Sequence, residues 1–156
     1  MFDASLSRRS ALKRTGLVGL LAAFGTMIAP RLGFAAWNKA AFDGKTLAET
    51  YKTLGAGTPT ESGDVQILAS DIAENGAVVP VQGVSKLAET TEISFLVEKN
   101  PNMLAAFFSV SPDMVPDVTT RIKMGQTSNV IVLVKAGGKY YTATKEIKVT
   151  LGGCGG

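Results

Sequence analysis

The chain has 156 residues, 46% of them hydrophobic and 19% charged, which is enough apolar content for one globular domain with its own core. It contains no histidine and one cysteine, which excludes a Ser-His-Asp triad, a Cys-His pair, an imidazole metal site, an internal disulfide and a thiolate zinc cage. The net charge of +3 misleads about partners, because Arg8, Arg9, Lys13, Arg14 and Arg31 all precede Trp37. Beyond Trp37 there are 11 basic and 12 acidic residues with no basic run, so nucleic acid is not an expected partner. The carboxylates show no D-x-D-x-D-G calcium spacing, and no metal site is expected.

The first segment reads as an address. Ser7-Arg8-Arg9-Ser10-Ala11-Leu12-Lys13 places paired arginines before an apolar stretch from Thr15 to Ala29, followed by Pro30 and the small residues Gly33, Ala35 and Ala36. This layout resembles a twin-arginine export signal, although Ala11 stands where phenylalanine is usual. The stretch contains Gly16, Gly19 and Gly25 and falls short of the ~20 apolar residues that span a bilayer, so no stable membrane insertion is expected. Residues 1–36 are read as a signal peptide, with the mature protein beginning near Ala36 or Trp37 and residing in the periplasm.

Residues 37–151 read as one domain. Thr46 and Glu49 form a T-x-x-E capping box, Leu47, Tyr51 and Leu54 recur at helical spacing, and Gly55 suits a C-terminal cap, so a short helix spans about Thr46 to Leu54. Seven strands follow: Val65–Ile72, Ala77–Val84, Glu92–Lys99, Met103–Val110, Val118–Met124, Asn129–Ala136 and Tyr140–Leu151. Asn75-Gly76 suits a two-residue primed turn, Asn100-Pro101-Asn102 breaks any ladder, and Gly137-Gly138 closes the last hairpin. Val130 to Val134 is apolar throughout and reads as central. The expected fold is all-β, an immunoglobulin-like antiparallel sandwich with a short N-terminal helical segment. Of Phe107 and Phe108, one ring must leave the core side, and it is either covered by the helix or free for a partner. Met103, Met114 and Met124 read as core filler, and Lys139, Lys145 and Lys148 as a solvated strand face.

The tail carries the chemistry. After Leu151 every residue except Cys154 is glycine: Gly152, Gly153, Gly155 and Gly156. Such a segment has nothing to bury, and three residues extend about 10 Å, so the thiol can leave its own domain. Glycine on both sides removes bulk near the sulfur, as a narrow channel would require. No base, cation or helix N-terminus is fixed beside the thiol, so activation belongs to a partner's site. Residues 152–156 are therefore read as a flexible carrier arm rather than a catalytic centre. An odd cysteine in an exported chain also admits an interaction protein that uses Cys154 only for an intermolecular disulfide.

The terminal Leu151-Gly152-Gly153-Cys154-Gly155-Gly156, the run Ile72-Ala73-Glu74-Asn75-Gly76-Ala77-Val78-Val79-Pro80-Val81 and the Arg8-Arg9 leader together resemble the SoxY family of sulfur carriers, over nearly the whole chain. The resemblance implies a carrier subunit rather than an enzyme, holding thiosulfate-derived intermediates covalently on Cys154 and needing no cofactor beyond that adduct. It implies a heterodimer with a SoxZ-like subunit. It also implies a haem-containing enzyme that joins thiosulfate to Cys154, a hydrolase that releases sulfate and, where present, a sulfane dehydrogenase. A ubiquitin-like sulfur carrier also ends in Gly-Gly, with the Gly156 carboxylate as its active group, but it needs cytosolic ATP-dependent activation, which an export signal opposes.

Overall fold

The structure, a computed structural model, describes residues 38–151. The expected signal (residues 1–36, with Arg8 and Arg9) and the expected arm (residues 152–156, with Cys154) lie outside the described residues.

Two short helices precede the strands: α1 (Lys39–Phe42) and α2 (Leu47–Leu54). The ends of α2 follow from local chemistry. Thr46 accepts a hydrogen bond from the Glu49 amide at 3.2 Å, and Gly55 closes the helix in the left-handed region at φ 74. The Glu49 carboxylate reaches back to the Lys45 amide at 3.1 Å, one residue before the cap itself. The apolar stripe of Leu47, Tyr51 and Leu54 then has one place to go, onto the outer face of a sheet.

Nine strands follow: β1 (Thr60–Glu61), β2 (Val65–Leu68), β3 (Ile72–Asn75), β4 (Val79–Ser85), β5 (Thr90–Val97), β6 (Leu104–Ser109), β7 (Asp117–Ile122), β8 (Ser128–Ala136) and β9 (Lys139–Leu151). They form a sandwich. One sheet runs β1-β9-β8-β5-β6, with β3 also on β9, and the other runs β2-β4-β7. The antiparallel sandwich is as expected, with two additions, since β1 and β3 both lie parallel to β9 along its outer edge. The β8–β9 hairpin turns on Gly137 and Gly138 at φ 55 and 74, the double positive φ that a primed two-residue turn demands.

Two of the expected boundaries are wrong. The run Val65–Ile72 is not one strand, because the Lys145 ammonium donates to the Ala69 carbonyl at 2.5 Å and pairs with Asp71 at 2.9 Å, bending the chain between β2 and β3. Lys145 is thus an anchor and not part of a solvated face. Asn75-Gly76 is not a hairpin turn either: β3 pairs with β9 while β4 pairs with β2 and β7, so the turn carries the chain from one sheet to the other. Asn75 supports that crossing by accepting from the Ala77 amide at 2.9 Å.

β8 is central and buried on both faces, as its unbroken apolar run predicts. Val130, Val132 and Val134 point between the sheets, where they meet Ile93, Phe95, Val97, Val81 and Ile147. Ile131 and Leu133 point the other way, and with Leu96 and Leu104 they receive α2. Each such buried side chain contributes about 1.5–3 kcal/mol. The sheets meet closely at Gly83, where a Cβ would lie 2.9 Å from Phe95 Cζ and 3.2 Å from Val132 Cγ1.

β6 is an edge strand, and its adjacent rings divide as expected. Phe108 turns inward and meets Phe95 edge to face at 6.2 Å, whereas Phe107 stays 37% exposed on the helix-bearing face, where the helices do not cover it. Of the methionines, Met124 is fully buried and Met103 half-buried, but Met114 is exposed in the β6–β7 loop and fills no core.

Candidate functional site

The expected reactive residue follows β9, so what holds the end of β9 sets where the chemistry starts. β8 begins at Ser128, opposite Ile147, and residues 148–151 run on past it. They are held instead by β3, with Ala73 opposite Val149 and Asn75 opposite Leu151. Side chains add further ties. The Thr127 hydroxyl accepts from the Val149 amide at 2.9 Å, Thr150 donates to the Glu74 carbonyl at 3.2 Å, and the Lys148 amide donates to the Asp71 carbonyl at 2.9 Å. The backbone is therefore fixed up to Leu151, three residues short of Cys154.

Strand directions put several other ends beside this root. The ends of β5 and β7 and the starts of β4, β6 and β8 share one end of the sandwich with the ends of β3 and β9. Here Asn100, in the β5–β6 turn, spans to the neighbouring sheet: its amide donates to the Lys123 carbonyl at 2.7 Å and accepts from the Gly125 amide at 3.1 Å. Between these loops lies an open cavity of about 360 Å³ lined by Asn100, Pro101, Asn102, Lys123 and Gly125. The sequence marks Asn100-Pro101-Asn102 only as a break in the ladder and does not reveal this cavity. Nothing local signals it, because Asn100 and Lys123 are 23 residues apart.

Charge at this end is uneven. Lys45 donates to the Asn102 side-chain carbonyl, the Lys123 ammonium has no partner among the described residues, and no carboxylate lines the cavity. Near the root, hydrogen bonding to Lys145 and its charge hold the Asp71 carboxyl below the usual carboxylate range. At the opposite end, Tyr140 donates to the Leu54 carbonyl at 2.7 Å and pins the C-terminus of α2, and burial pushes its phenol up. Among the described residues no group of three His, Cys, Asp or Glu side chains could hold a metal, and no helix is long and apolar enough to cross a membrane.

Comparison with known proteins bears on what this end does. The family described as sulfur oxidation protein SoxY matches residues 50–154. No curated protein matches the chain. Among solved structures, the sulfur carrier protein SoxY from Chlorobium limicola f thiosulfatophilum is 39% identical, over 73% of this chain and all of that one, with a TM-score of 0.61. A superoxide reductase (neelaredoxin) from Ignicoccus hospitalis is similar in fold alone, at 16% identity over 55% of this chain and 79% of that one, with a TM-score of 0.50. The SoxY match starts inside α2, takes in all nine strands, and ends on the residue that the sequence singles out; the chain belongs to the SoxY family of sulfur oxidation proteins.

Proposed function

We propose that this chain is a periplasmic sulfur carrier, exported by the twin-arginine route, that holds thiosulfate-derived sulfur on Cys154 and presents it to enzymes of the sulfur-oxidising system. The observation that carries the reading is the contrast at residue 151. A strand end tied by the β3 ladder and by side chains gives way to a segment whose one non-glycine residue is a thiol. The family match also runs through Gly152 and Gly153 to Cys154 itself, which supports assigning the chemistry there.

In the first step the outer sulfur of thiosulfate bonds to Sγ of Cys154. The thiol proton and two electrons leave, the electrons to the haem of a partner enzyme, and the product is Cys–S–S–SO₃⁻. A partner hydrolase then directs water to the sulfonate sulfur. The bond between that sulfur and its neighbour breaks, hydrogensulfate departs and a persulfide, Cys–S–SH, remains for a sulfane dehydrogenase where one is present. The chain supplies an attachment point, reach and a bare backbone, and is a carrier rather than an enzyme. A SoxZ-like subunit completes the complex, and the partly exposed ring of Phe107 on edge strand β6 is an apolar surface suited to it.

Intact mass of protein from the native periplasm tests this reading. Cleavage near Ala35 or Ala36 and a sulfur adduct on Cys154 that dithiothreitol removes are expected. In a reconstituted system Cys154→Ser abolishes thiosulfate-dependent turnover while folding persists; full turnover by that variant, or an adduct on the Gly156 carboxylate, refutes the carrier mechanism.

A further inference from the structure

We infer that the outer face of the smaller sheet, β2-β4-β7, is a docking surface for the enzyme that loads the thiol, and that it fits a partner whose thiol-accepting mouth is apolar and ringed by carboxylates. This rests on the carrier reading above and adds which surface of the chain the loading enzyme recognises.

The first argument is reach. Three residues from Leu151 to Cys154 extend about 10 Å, so an enzyme that reacts with the thiol must rest against the end of the sandwich around Leu151. Val78 is close to that root: its amide donates to the Asn75 carbonyl at 3.4 Å, and Asn75 pairs with Leu151. From there the face runs on along β4 and β7, where Val79 pairs with Ile122 and Pro80 with Arg121. Strand steps of about 3.4 Å and spacings of about 4.8 Å make the path from Leu151 to Arg121 about 20 Å long, inside the ~800 Å² that one side of a standard interface covers. The other outer face of the sandwich carries the helices, with Leu47, Tyr51 and Leu54 packed on it.

The second argument is chemistry. Alternation along the three strands buries Val65, Val79, Val81 and Ile122 and sends Leu68, Pro80 and Arg121 outward. Leu68 and Val78 are each 51% exposed, so aliphatic surface flanks Pro80 at the end near Leu151. Beside it stand two cations. Arg121 is the one arginine after Arg31, and Lys123 keeps the outward alternation between the buried Ile122 and Met124. Neither is in an ion pair among the described residues. Asp117, the one carboxylate that β2, β4 and β7 carry, stands opposite Val84 at the far end and accepts from the Gln82 amide at 2.7 Å. A second copy docked here would bring the same cations together, which disfavours self-association. A partner surface with carboxylates around an apolar centre answers both features. The Phe107 ring suited to a SoxZ-like subunit is on the helix-bearing face, so the two partners do not compete.

The test measures thiosulfate-dependent turnover in the reconstituted system, with the carrier complex as the varied substrate and the haem-containing loading enzyme limiting. Arg121→Ala combined with Lys123→Ala should raise KM for the carrier roughly two- to twenty-fold with kcat unchanged, each charge counting as one solvent-exposed contact. Added salt should raise the wild-type KM and leave that of the double variant nearly flat. Arg121→Lys should stay close to wild type, whereas Arg121→Glu should be worse than Arg121→Ala. Leu68→Ser should raise KM by a factor that salt does not change. In every variant Cys154 should react with small thiol reagents at the wild-type rate, and sedimentation should show the SoxZ-like subunit still bound. An unchanged KM in the double alanine variant, a wild-type KM indifferent to salt, or loss of the SoxZ-like subunit each overturn the proposal, the last by giving this face to the permanent partner. An unchanged KM leaves the carrier reading standing, and failure of that reading shows separately, as turnover by Cys154→Ser.

Discussion

Gly83→Ala should destabilise the domain although it adds one methyl group to a strand. The new Cβ would sit 2.9 Å from Phe95 Cζ and 3.2 Å from Val132 Cγ1, and neither neighbour is a flexible surface group. Both are fully buried, and the Phe95 ring is held edge to face by Phe108 at 6.2 Å. Overpacking of this kind costs about 1–3 kcal/mol, and the reduced freedom of the unfolded chain returns about 0.4–1 kcal/mol. A net loss of about 0.5–2 kcal/mol remains, a midpoint lower by about 2–10 °C for a domain of this size. Thermal and urea unfolding followed by circular dichroism measure it. Because the clash is with the ring, Phe95→Leu in the same chain should relieve it, so the double variant should be less destabilised than the two single changes added together by about 1 kcal/mol. A Gly83→Ala protein as stable as wild type, or strict additivity with Phe95→Leu, refutes the close-approach reasoning.

Phe107→Ser should cost the chain about 1–2 kcal/mol, the share of a ring that is 37% exposed, and weaken association with a co-expressed β partner in sedimentation by more than that loss explains. Gly153→Val should leave Cys154 open to small thiol reagents while partner enzymes slow markedly, since a branched side chain widens and stiffens the arm. Asp71 should titrate below its usual value of 3.8 by carboxyl NMR and move back toward it in Lys145→Ala. A lowered carboxyl stabilises the fold above its unfolded pKa and loses that contribution as pH falls through the folded value. The stability gap between wild type and Lys145→Ala should thus narrow below about pH 4. Some gap should persist at acid pH, because Lys145 also bonds the Ala69 carbonyl.

What the sequence revealed depended on how local the cause was. The ends of α2 are written into Thr46, Glu49 and Gly55, and the structure uses all three. The central place of β8 was visible because a strand buried on both faces cannot alternate, and Val130 to Val134 does not. β1 and β3 were invisible as separate strands, since their partner is β9 and the bend that splits β2 from β3 is made by Lys145, 76 residues from Ala69. The same limit governs the candidate site. The role proposed for Cys154 rests on local sequence alone, because glycine flanks it on both sides. The cavity walls come from loops that meet only when two sheets are stacked.

The outer edge of β9 has a mechanical meaning. This strand is 13 residues long and is laddered to β8 along its upper length, by antiparallel bonds that lie across its axis, and to β3 along its last residues, by slanted parallel bonds. Tension that reaches Leu151 meets the β3 ladder and the Thr127 and Thr150 hydrogen bonds first, before the β8 ladder is loaded. The segment that follows Leu151 is thus rooted in a strand end held by a backbone ladder and by side chains, and not in a loop.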